Sequence, residues 1–190
     1  MFARLFRKDP MKVRARLVYD ALVRAARKPA LYGPQGAPDT VDGRFDMITA
    51  HAILLFRRLR GEGEAATELS QLVFDTMFHD FDGALREMGT GDLSVGKKIR
   101  EMGEAFYGRA KAYEEALNAG DEAALAAVLE RNLFADEDEA ETEPPVIVQG
   151  AVSDASRRIA AYLARSASAL EDQSIDAMLS GDAPRFPAAV

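Results

Sequence analysis

Apolar residues recur at helical spacing along most of the chain, in stretches that proline and glycine separate. No proline occurs from residue 39 to 143, and within this stretch one series runs at intervals of three and four: Phe45, Ile48, Ala52, Leu55 and Leu59. Side chains at this spacing share one face of an α-helix. The pattern predicts helices over residues 10–28, 42–60, 64–88, 95–118, 121–134 and 153–170, with a last turn or two around residues 175–179.

The same pattern predicts an all-α protein, a single helical bundle of about six helices with flexible N- and C-terminal segments. The β-branched run at residues 146–148 is too short for a sheet. We expect a basic amphipathic segment (1–9), a helical domain (10–135), an acidic, Pro-rich linker (136–149), C-terminal helices packed on the domain (150–180) and a tail (181–190). Six acids among residues 136–143, followed by Pro-Pro, define the linker.

The first and fourth helices carry specific expectations. Asp9 is expected to cap the first helix ahead of Pro10, and its buried side is expected to comprise Val13, Leu17, Tyr19 and Leu22. The fourth helix is expected to be capped by Asp92 or Ser94. Glycine costs about 1 kcal/mol relative to alanine inside a helix, so its two interior glycines are expected to allow close backbone approach by a neighbour: Gly103 and Gly108.

Composition excludes several classes of function. The chain has 190 residues, 48% of them hydrophobic and 29% charged, and no cysteine. Disulfide scaffolds, thiolate metal sites and cysteine nucleophiles are therefore excluded. No run of about 18 apolar residues predicts a membrane span, and the first eight residues lack the apolar core of a secretory signal.

Charge is distributed unevenly. Residues 1–28 hold nine Lys or Arg and two Asp, a net charge of +7, so the other 162 residues carry −14 of the total of −7. The apolar and basic residues at the start interleave as on an amphipathic helix: Phe2, Arg4, Leu5, Phe6, Arg7 and Lys8. Three interpretations stay open, namely a solvated helix end, weak contact with an anionic membrane surface, and contact with RNA phosphates. The acidic remainder argues against a dedicated nucleic-acid binder, and we expect no DNA partner.

Motifs for nucleotide or metal chemistry are weak. Residues 91–97 spell G-x-x-x-x-G-K, but Lys98 stands where a P-loop needs Ser or Thr, and the preceding segment reads as a helix. His79 has Asp75 one turn before it, yet the chain has only two histidines, so we expect no metal site. His51 lies beside the apolar stripe and is expected to be a hydrogen-bonded core residue.

A polar cluster occupies the junction between the loop at residues 29–39 and the second helix. Asp39, Thr40 or Asp42 is expected to cap that helix, and Arg44 is expected to bind Asp39 or Asp46. Capping explains two of these groups more readily than all of them. No nucleophile, base and orienting group can be identified here.

Several motifs in fixed order resemble a known family. They are RKPALY at 27–32, PDT at 38–40, DGRFDM at 42–47 with His51, FDTMF at 74–78, LREMGTGDLSVGK at 85–97 and AFYGRAKAY at 105–113. Together they resemble the ubiquinol–cytochrome c chaperone family, bacterial relatives of the mitochondrial assembly factor for the cytochrome bc1 complex. The resemblance covers roughly residues 10–135.

The resemblance implies an all-helical, non-enzymatic chaperone that holds newly made cytochrome b until haem insertion and later assembly. It implies a cytoplasmic form peripheral to the inner membrane, and the mitochondrial relatives work with a small partner subunit at the ribosomal tunnel exit. We expect no cofactor. Two other interpretations stay open: a peripheral membrane or ribosome adaptor with another client, and a helical protein that binds haem or quinone.

A client made of apolar helices requires an apolar receiving surface. Aromatic and Met residues of helices three and four are candidates, although core packing explains most of them equally well; Tyr107 lies off the stripe and is expected to be exposed. Polar and glycine-rich helix ends complete the predicted client-binding set: Tyr32, Asp39, Asp42, Arg44, Asp46, Arg86, Asp92, Lys97, Tyr107 and Arg109.

Overall fold

The structure, a computed structural model, describes residues 9–134 and 152–189. Its all-α architecture confirms the predicted fold class. Seven helices form in these residues: α1 (Pro10–Ala26), α2 (Val41–Leu59), α3 (Glu64–Glu87), α4 (Asp92–Ala119), α5 (Glu122–Leu133), α6 (Asp154–Glu171) and α7 (Ile175–Ser180). A 3₁₀ turn at Pro29–Leu31 and an isolated bridge between Tyr32 and Ala37 shape the loop before α2. The acidic linker and the first eight residues of the basic segment lie outside the described residues.

Helix α2 lies at the centre of the bundle. Its residues 47–55 are all buried, and it contacts α1, α3, α4, α5 and α6. Thr40 caps its first turn, since Thr40 Oγ1 accepts from Gly43 N at 3.0 Å. A helix that is apolar on every side has to be enclosed by neighbours, and this requirement places the other helices around it.

Helix α1 begins as predicted but buries a different side. The side chain of Asp9 accepts a hydrogen bond from Met11 N at 2.9 Å. However, Val13 and Leu17 are 42% and 49% exposed, so their assignment to the core is wrong. The buried side consists of Ala15, Val18, Tyr19, Ala21, Leu22, Ala25 and Ala26. The predicted set mixed two faces, because alanines rather than larger residues complete the buried stripe.

Helix α4 also departs from its predicted details. Gly91 is its N-cap and provides no side-chain bond, so capping by Asp92 or Ser94 is wrong. The two interior glycines do not mark close backbone contact: a Cβ on Gly108 would meet nothing within 4 Å, and one on Gly103 would meet only the Phe78 ring at 3.9 Å. Residues 91–97 therefore form a helix start rather than a phosphate-binding loop.

A carboxylate joins α5 to the start of α6. Glu130 Oε2 accepts hydrogen bonds from Ser153 N at 3.0 Å, from Ser153 Oγ at 2.6 Å and from Ser156 Oγ at 2.5 Å. Ser153 Oγ in turn accepts from Ser156 N as the helix cap. This cluster fixes α6 against α5, and α6 also packs on α2.

Residues 182–189 follow α7 without helical structure and pack on the bundle. Gln173 exchanges two hydrogen bonds of 2.8 Å with the backbone of Arg185. Lys28 Nζ donates to the carbonyl of Pro187 at 3.0 Å, and the Phe186 ring lies 5.0 Å from the His51 ring. The composition of this segment predicts only a tail, so these contacts could not be predicted from the sequence.

His51 is fully buried in the core, as the sequence analysis predicted. Its Nδ1 lies 2.7 Å from the carbonyl oxygen of Met47, and its Nε2 lies 2.9 Å from the hydroxyl of Tyr162. A carbonyl only accepts, so Nδ1 carries the proton and Nε2 accepts from Tyr162. Burial lowers the pKa of His51 to about 4, and the nearby Lys28 acts in the same direction.

This lowered pKa predicts a loss of stability in acid. The folded state resists protonation of His51, so its contribution is complete above the ordinary pKa of 6.5 and is lost as the pH falls from 6.5 toward 4. Between pH 7.5 and pH 5 the loss is about 2 kcal/mol. In urea unfolding, the difference in unfolding free energy between the wild type and His51→Gln should fall by this amount over the same pH range. The exposed His79→Gln serves as control; an equal pH dependence in all three proteins would contradict the assignment.

Candidate functional site

A series of aromatic rings crosses three helices on one side of the bundle. Phe74 on α3 lies 4.5 Å from Phe78 and 5.4 Å from Phe106 on α4, measured between ring centroids. Phe106 lies 6.0 Å from Phe56 on α2 and 5.7 Å from Tyr107. Contacts of this kind add about 0.5–1.5 kcal/mol per pair beyond burial. The rings therefore form a rigid apolar layer rather than independent surface residues.

This layer lines a surface groove of about 270 Å³, which we call the aromatic groove. Its apolar part comes from Ile53, Phe56, Phe74, Phe106, Tyr107 and Ala110, and its polar rim from Arg57, Arg60, Thr67, Ser70, Gln71 and Glu114. Tyr107 is 66% exposed, as the sequence predicted. Arg60 forms an ion pair with Glu114, and Arg57 forms one with Glu171, so the rim charges are neutralised locally. The groove has the size to receive one or two bulky apolar side chains from a partner.

Three exposed apolar residues lie at the end of the bundle where α2 begins. The Phe45 ring in the second turn of α2 lies 4.9 Å from the Phe81 ring of α3. Val41, one turn before Phe45, is 49% exposed, as is Met88 just after α3. Leu93 in the first turn of α4 is 98% exposed. These side chains expose apolar area toward the end of the bundle at which Phe45 and Phe81 meet.

Three of the predicted site residues meet before and at the start of α2. Arg44 Nε donates to Asp39 Oδ1 at 2.7 Å, and the Arg44 guanidinium lies 5.9 Å from the centre of the Tyr32 ring. The hydrogen bond from Arg44 lowers the pKa of Asp39. The Tyr32 hydroxyl donates to the carbonyl of Ala26 at 2.7 Å, and burial raises the pKa of Tyr32 to about 12. Asp42 lies exposed in the first turn of α2. The exposed Arg44–Asp39 pair holds the loop against the helix.

Asp46 binds a different partner from Arg44. Its Oδ1 lies 2.7 Å from Nη1 of Arg109 on α4, and the two side chains are only 18% and 23% exposed. Burial raises the pKa of Asp46 to about 6, against the opposing effect of Arg109. This mostly buried ion pair joins residues 63 positions apart in the sequence, so it contributes mainly to the packing of α2 against α4.

The remaining predicted residues lie at the junction between α3 and α4. Arg86 binds Asp82 one turn earlier and also Asp92 at the start of α4. Lys97 lies 3.5 Å from Glu101, and both are exposed. Helices α2 and α3 meet at Phe45 and Phe81, so the junction lies toward the same end of the bundle as Asp42 and Arg44. In the part of the chain that the structure describes, no hydrogen bond or ion pair joins the two groups directly. Residues 2–8, predicted to touch a membrane, lie outside the described residues.

The sequence analysis missed part of this surface. Phe56 adjoins the predicted core stripe of α2, and its ring also lines the aromatic groove. Val41 and Leu93 were not singled out, although each is a large apolar residue in the first turn of a helix and off its buried stripe. Of the aromatic and Met candidates on helices three and four, Phe81, Phe106 and Tyr113 are buried in the core, and Phe106 also lines the floor of the groove.

The described residues contain neither a metal-binding cluster nor a helix suited to a bilayer. Within residues 9–134 and 152–189 there is no cluster of three His, Asp or Glu with metal-binding geometry. Among the helices of that part of the chain, none is long and apolar enough to cross a membrane. The described residues form an all-α protein with a solvent-exposed apolar groove and a polar rim.

Comparison with known proteins gives the family. Residues 35–186 match the ubiquinol-cytochrome C chaperone family, and the chain belongs to it. The match begins later than the resemblance found in the sequence and extends through the C-terminal helices. The crystal structure of the Cbp3 homolog from Brucella abortus superposes with a TM-score of 0.78 and 33% identity, covering 100% of this chain and 98% of that one.

A curated relative points the same way. The ubiquinol-cytochrome-c reductase complex assembly factor 1 of Xenopus laevis is 26% identical over 129 residues, which is 68% of this chain. The chain spans 64% of that relative's length. The family match thus makes the chain a member of the ubiquinol-cytochrome C chaperone family, and both relatives are similar to it over most of its length.

Asp46 and Arg44, two charged residues near the start of α2, should respond differently to mutation. Asp46→Ala leaves the half-buried Arg109 without its counter-charge, which should lower the free energy of unfolding by about 2 kcal/mol. Arg44→Ala breaks an exposed pair and should leave the urea midpoint nearly unchanged. Equal urea midpoints for the two variants would contradict the structural role of Asp46, and a large loss in Arg44→Ala would contradict the exposed role of Arg44.

Proposed function

We propose that this protein is a non-catalytic chaperone that binds newly synthesised cytochrome b and promotes assembly of the cytochrome bc1 complex at the cytoplasmic periphery of the inner membrane. Family membership supports the assembly role. The observation that carries the client-binding part is the aromatic groove, in which the 66% exposed Tyr107 stands beside the packed rings of Phe74 and Phe106.

The geometry suits a client of apolar helices. A transmembrane segment that has not yet found its partners presents bulky apolar side chains in sequence, and each gains free energy by leaving water, about 1.5–3 kcal/mol when fully buried. The aromatic groove receives one or two of them, and Val41, Met88 and Leu93 offer further apolar area beyond it. Binding spread over shallow sites is reversible, which a chaperone requires because it has to release its client.

The haem- or quinone-binding interpretation is less well supported. Pockets that enclose a drug-sized ligand have volumes of about 300–1,000 Å³ and bury most of its surface. The aromatic groove falls below this range, is open to solvent and has rim charges already paired with one another. It fits side chains of a macromolecular partner better than a macrocycle.

Deleting the gene tests the client directly. Cytochrome b and the assembled bc1 complex should fall in membranes of the deletion strain, while the cytochrome b transcript persists. Haem staining, immunoblotting and transcript quantification measure these three quantities. Normal levels of assembled complex in the deletion strain would contradict the proposed function.

Substitution of Tyr107 tests the aromatic groove. Tyr107→Ala removes an exposed aromatic contact and should reduce copurification of cytochrome b about tenfold, as expected for loss of an interface anchor. Tyr107→Phe keeps the ring and should retain most binding. Tyr107→Ala also loses the ring contacts with Phe74 and Phe106 and should lower the unfolding midpoint modestly, whereas Tyr107→Phe should not, so binding is compared under conditions in which both variants are folded.

Lys111→Ala, an exposed change one turn further along α4 and outside the groove, is the matched control. Equal recovery of cytochrome b with Tyr107→Ala and with Lys111→Ala would exclude the groove as the binding site.

A further inference from the structure

The outer face of α1 carries apolar and basic residues that the core does not use. Val13 and Leu17, exposed by 42% and 49%, lie one turn apart. Arg24 follows Leu17 by seven positions, which returns to the same side of an α-helix. Arg27 and Lys12 flank this stripe and are exposed. We call these five residues the α1 outer face.

The charge of this surface is predominantly positive. Arg16 binds Asp20 at 2.8 Å and Asp80 of α3 at 3.2 Å, so its positive charge offsets part of the negative charge of these two acids. Asp9 caps the start of the helix. Within the described part of the chain, Lys12, Arg24 and Arg27 form no salt bridge, so their charges face solvent. Residues 9–28 together hold six Lys or Arg and two Asp.

The rest of the molecule has the opposite sign. Residues 29–190 carry a net charge of −14, against +7 for residues 1–28. Near an anionic surface, the acidic remainder is repelled and the basic segment is attracted, so the charge distribution selects one orientation. The phosphates of RNA would pair with the cations and leave Val13 and Leu17 in water. A bilayer would pair with the cations and also bury these two side chains. The pairing of exposed aliphatic side chains with cations therefore favours lipid.

Continuity along the chain supports the same occupant. The eight residues that precede Asp9 repeat the composition of the face, with Arg4, Arg7 and Lys8 between Phe2, Leu5 and Phe6. A second group of apolar and basic residues adjoins the start of α1 in sequence. Single weak anchors bind membranes only marginally, and stable attachment takes two signals.

We propose that the α1 outer face docks on an anionic lipid bilayer and holds the protein at the membrane surface independently of its client. This inference rests on the membrane-peripheral location in the proposed function and adds the surface that produces it. Val13 and Leu17 enter the headgroup region, while Lys12, Arg24 and Arg27 contact lipid phosphates. The aromatic groove, on α2, α3 and α4, is built from residues outside this face.

Sedimentation with vesicles tests the proposal on the full chain. The wild type should bind vesicles of equimolar phosphatidylcholine and phosphatidylglycerol at low salt. Binding should weaken strongly at high salt, since salt screens charges beyond the Debye length, and should be near background on phosphatidylcholine alone. Equal binding to both vesicle types, or none to either, would overturn the proposal.

Two pairs of variants locate the contact. Arg24→Gln with Arg27→Gln removes two cations, each contributing about tenfold near an anionic surface or somewhat less, so affinity should fall at least tenfold. Val13→Gln with Leu17→Gln keeps the charge but loses the aliphatic contact. The affinity of this variant for the vesicles should therefore also fall about tenfold.

Lys98→Gln with Lys111→Gln removes the same charge from exposed positions on α4 and is the matched control, expected to bind like the wild type. If this control loses as much affinity as the α1 pair, or if neither α1 pair loses affinity, the α1 outer face is not the docking surface. Copurification of cytochrome b from detergent extracts, measured in parallel, should be unchanged in the α1 variants, so failure of membrane docking and failure of client binding are separable.

Discussion

The complete burial of α2 is the constraint on which the rest of the structure depends. Nine consecutive residues, 47–55, are buried, so neighbouring helices have to cover every side of this segment. The one titratable group in it, His51, has both ring nitrogens paired, with Met47 and with Tyr162 of α6. A buried polar group without partners costs about 1–3 kcal/mol, so these two hydrogen bonds also fix the position of α6 relative to α2.

The helices that enclose α2 carry more apolar residues than they bury in the core. The rings of Phe74 and Phe78 on α3 are only partly buried, and Tyr107 on α4 is mostly exposed. On α1, alanines form most of the buried side, and the larger Val13 and Leu17 face outward. The protein therefore exposes apolar residues in two regions that differ in charge. In the aromatic groove the rim arginines form ion pairs, whereas the α1 outer face is basic. This separation fits a protein that we propose holds an apolar client and rests on a membrane with different residues.

Helix positions were predictable from the sequence because each helix carries its own stripe and its own boundary signals. Asp9, Thr40 and Ser153 cap helix starts through contacts within about one turn, so the residue types beside each stripe indicate the boundaries. The Asp46–Arg109 pair was not predictable, since it depends on how two helices distant in sequence cross. The same holds for Phe56, whose ring fits the stripe of α2 and still reaches the groove. The buried face of α1 was predicted wrongly because alanines form most of it, and alanine contributes little to an apolar pattern.

Site-specific photo-crosslinking during translation tests the central claim most directly. A photoreactive aromatic residue in place of Tyr107 should crosslink to newly synthesised cytochrome b, because the account places a client side chain within contact distance of this ring. The same residue at the exposed Arg165 on α6, away from the aromatic groove, should give no such product. Crosslinking of cytochrome b at position 165 but not at 107, or at neither position while the two proteins still copurify, would contradict the claim that the aromatic groove receives the client.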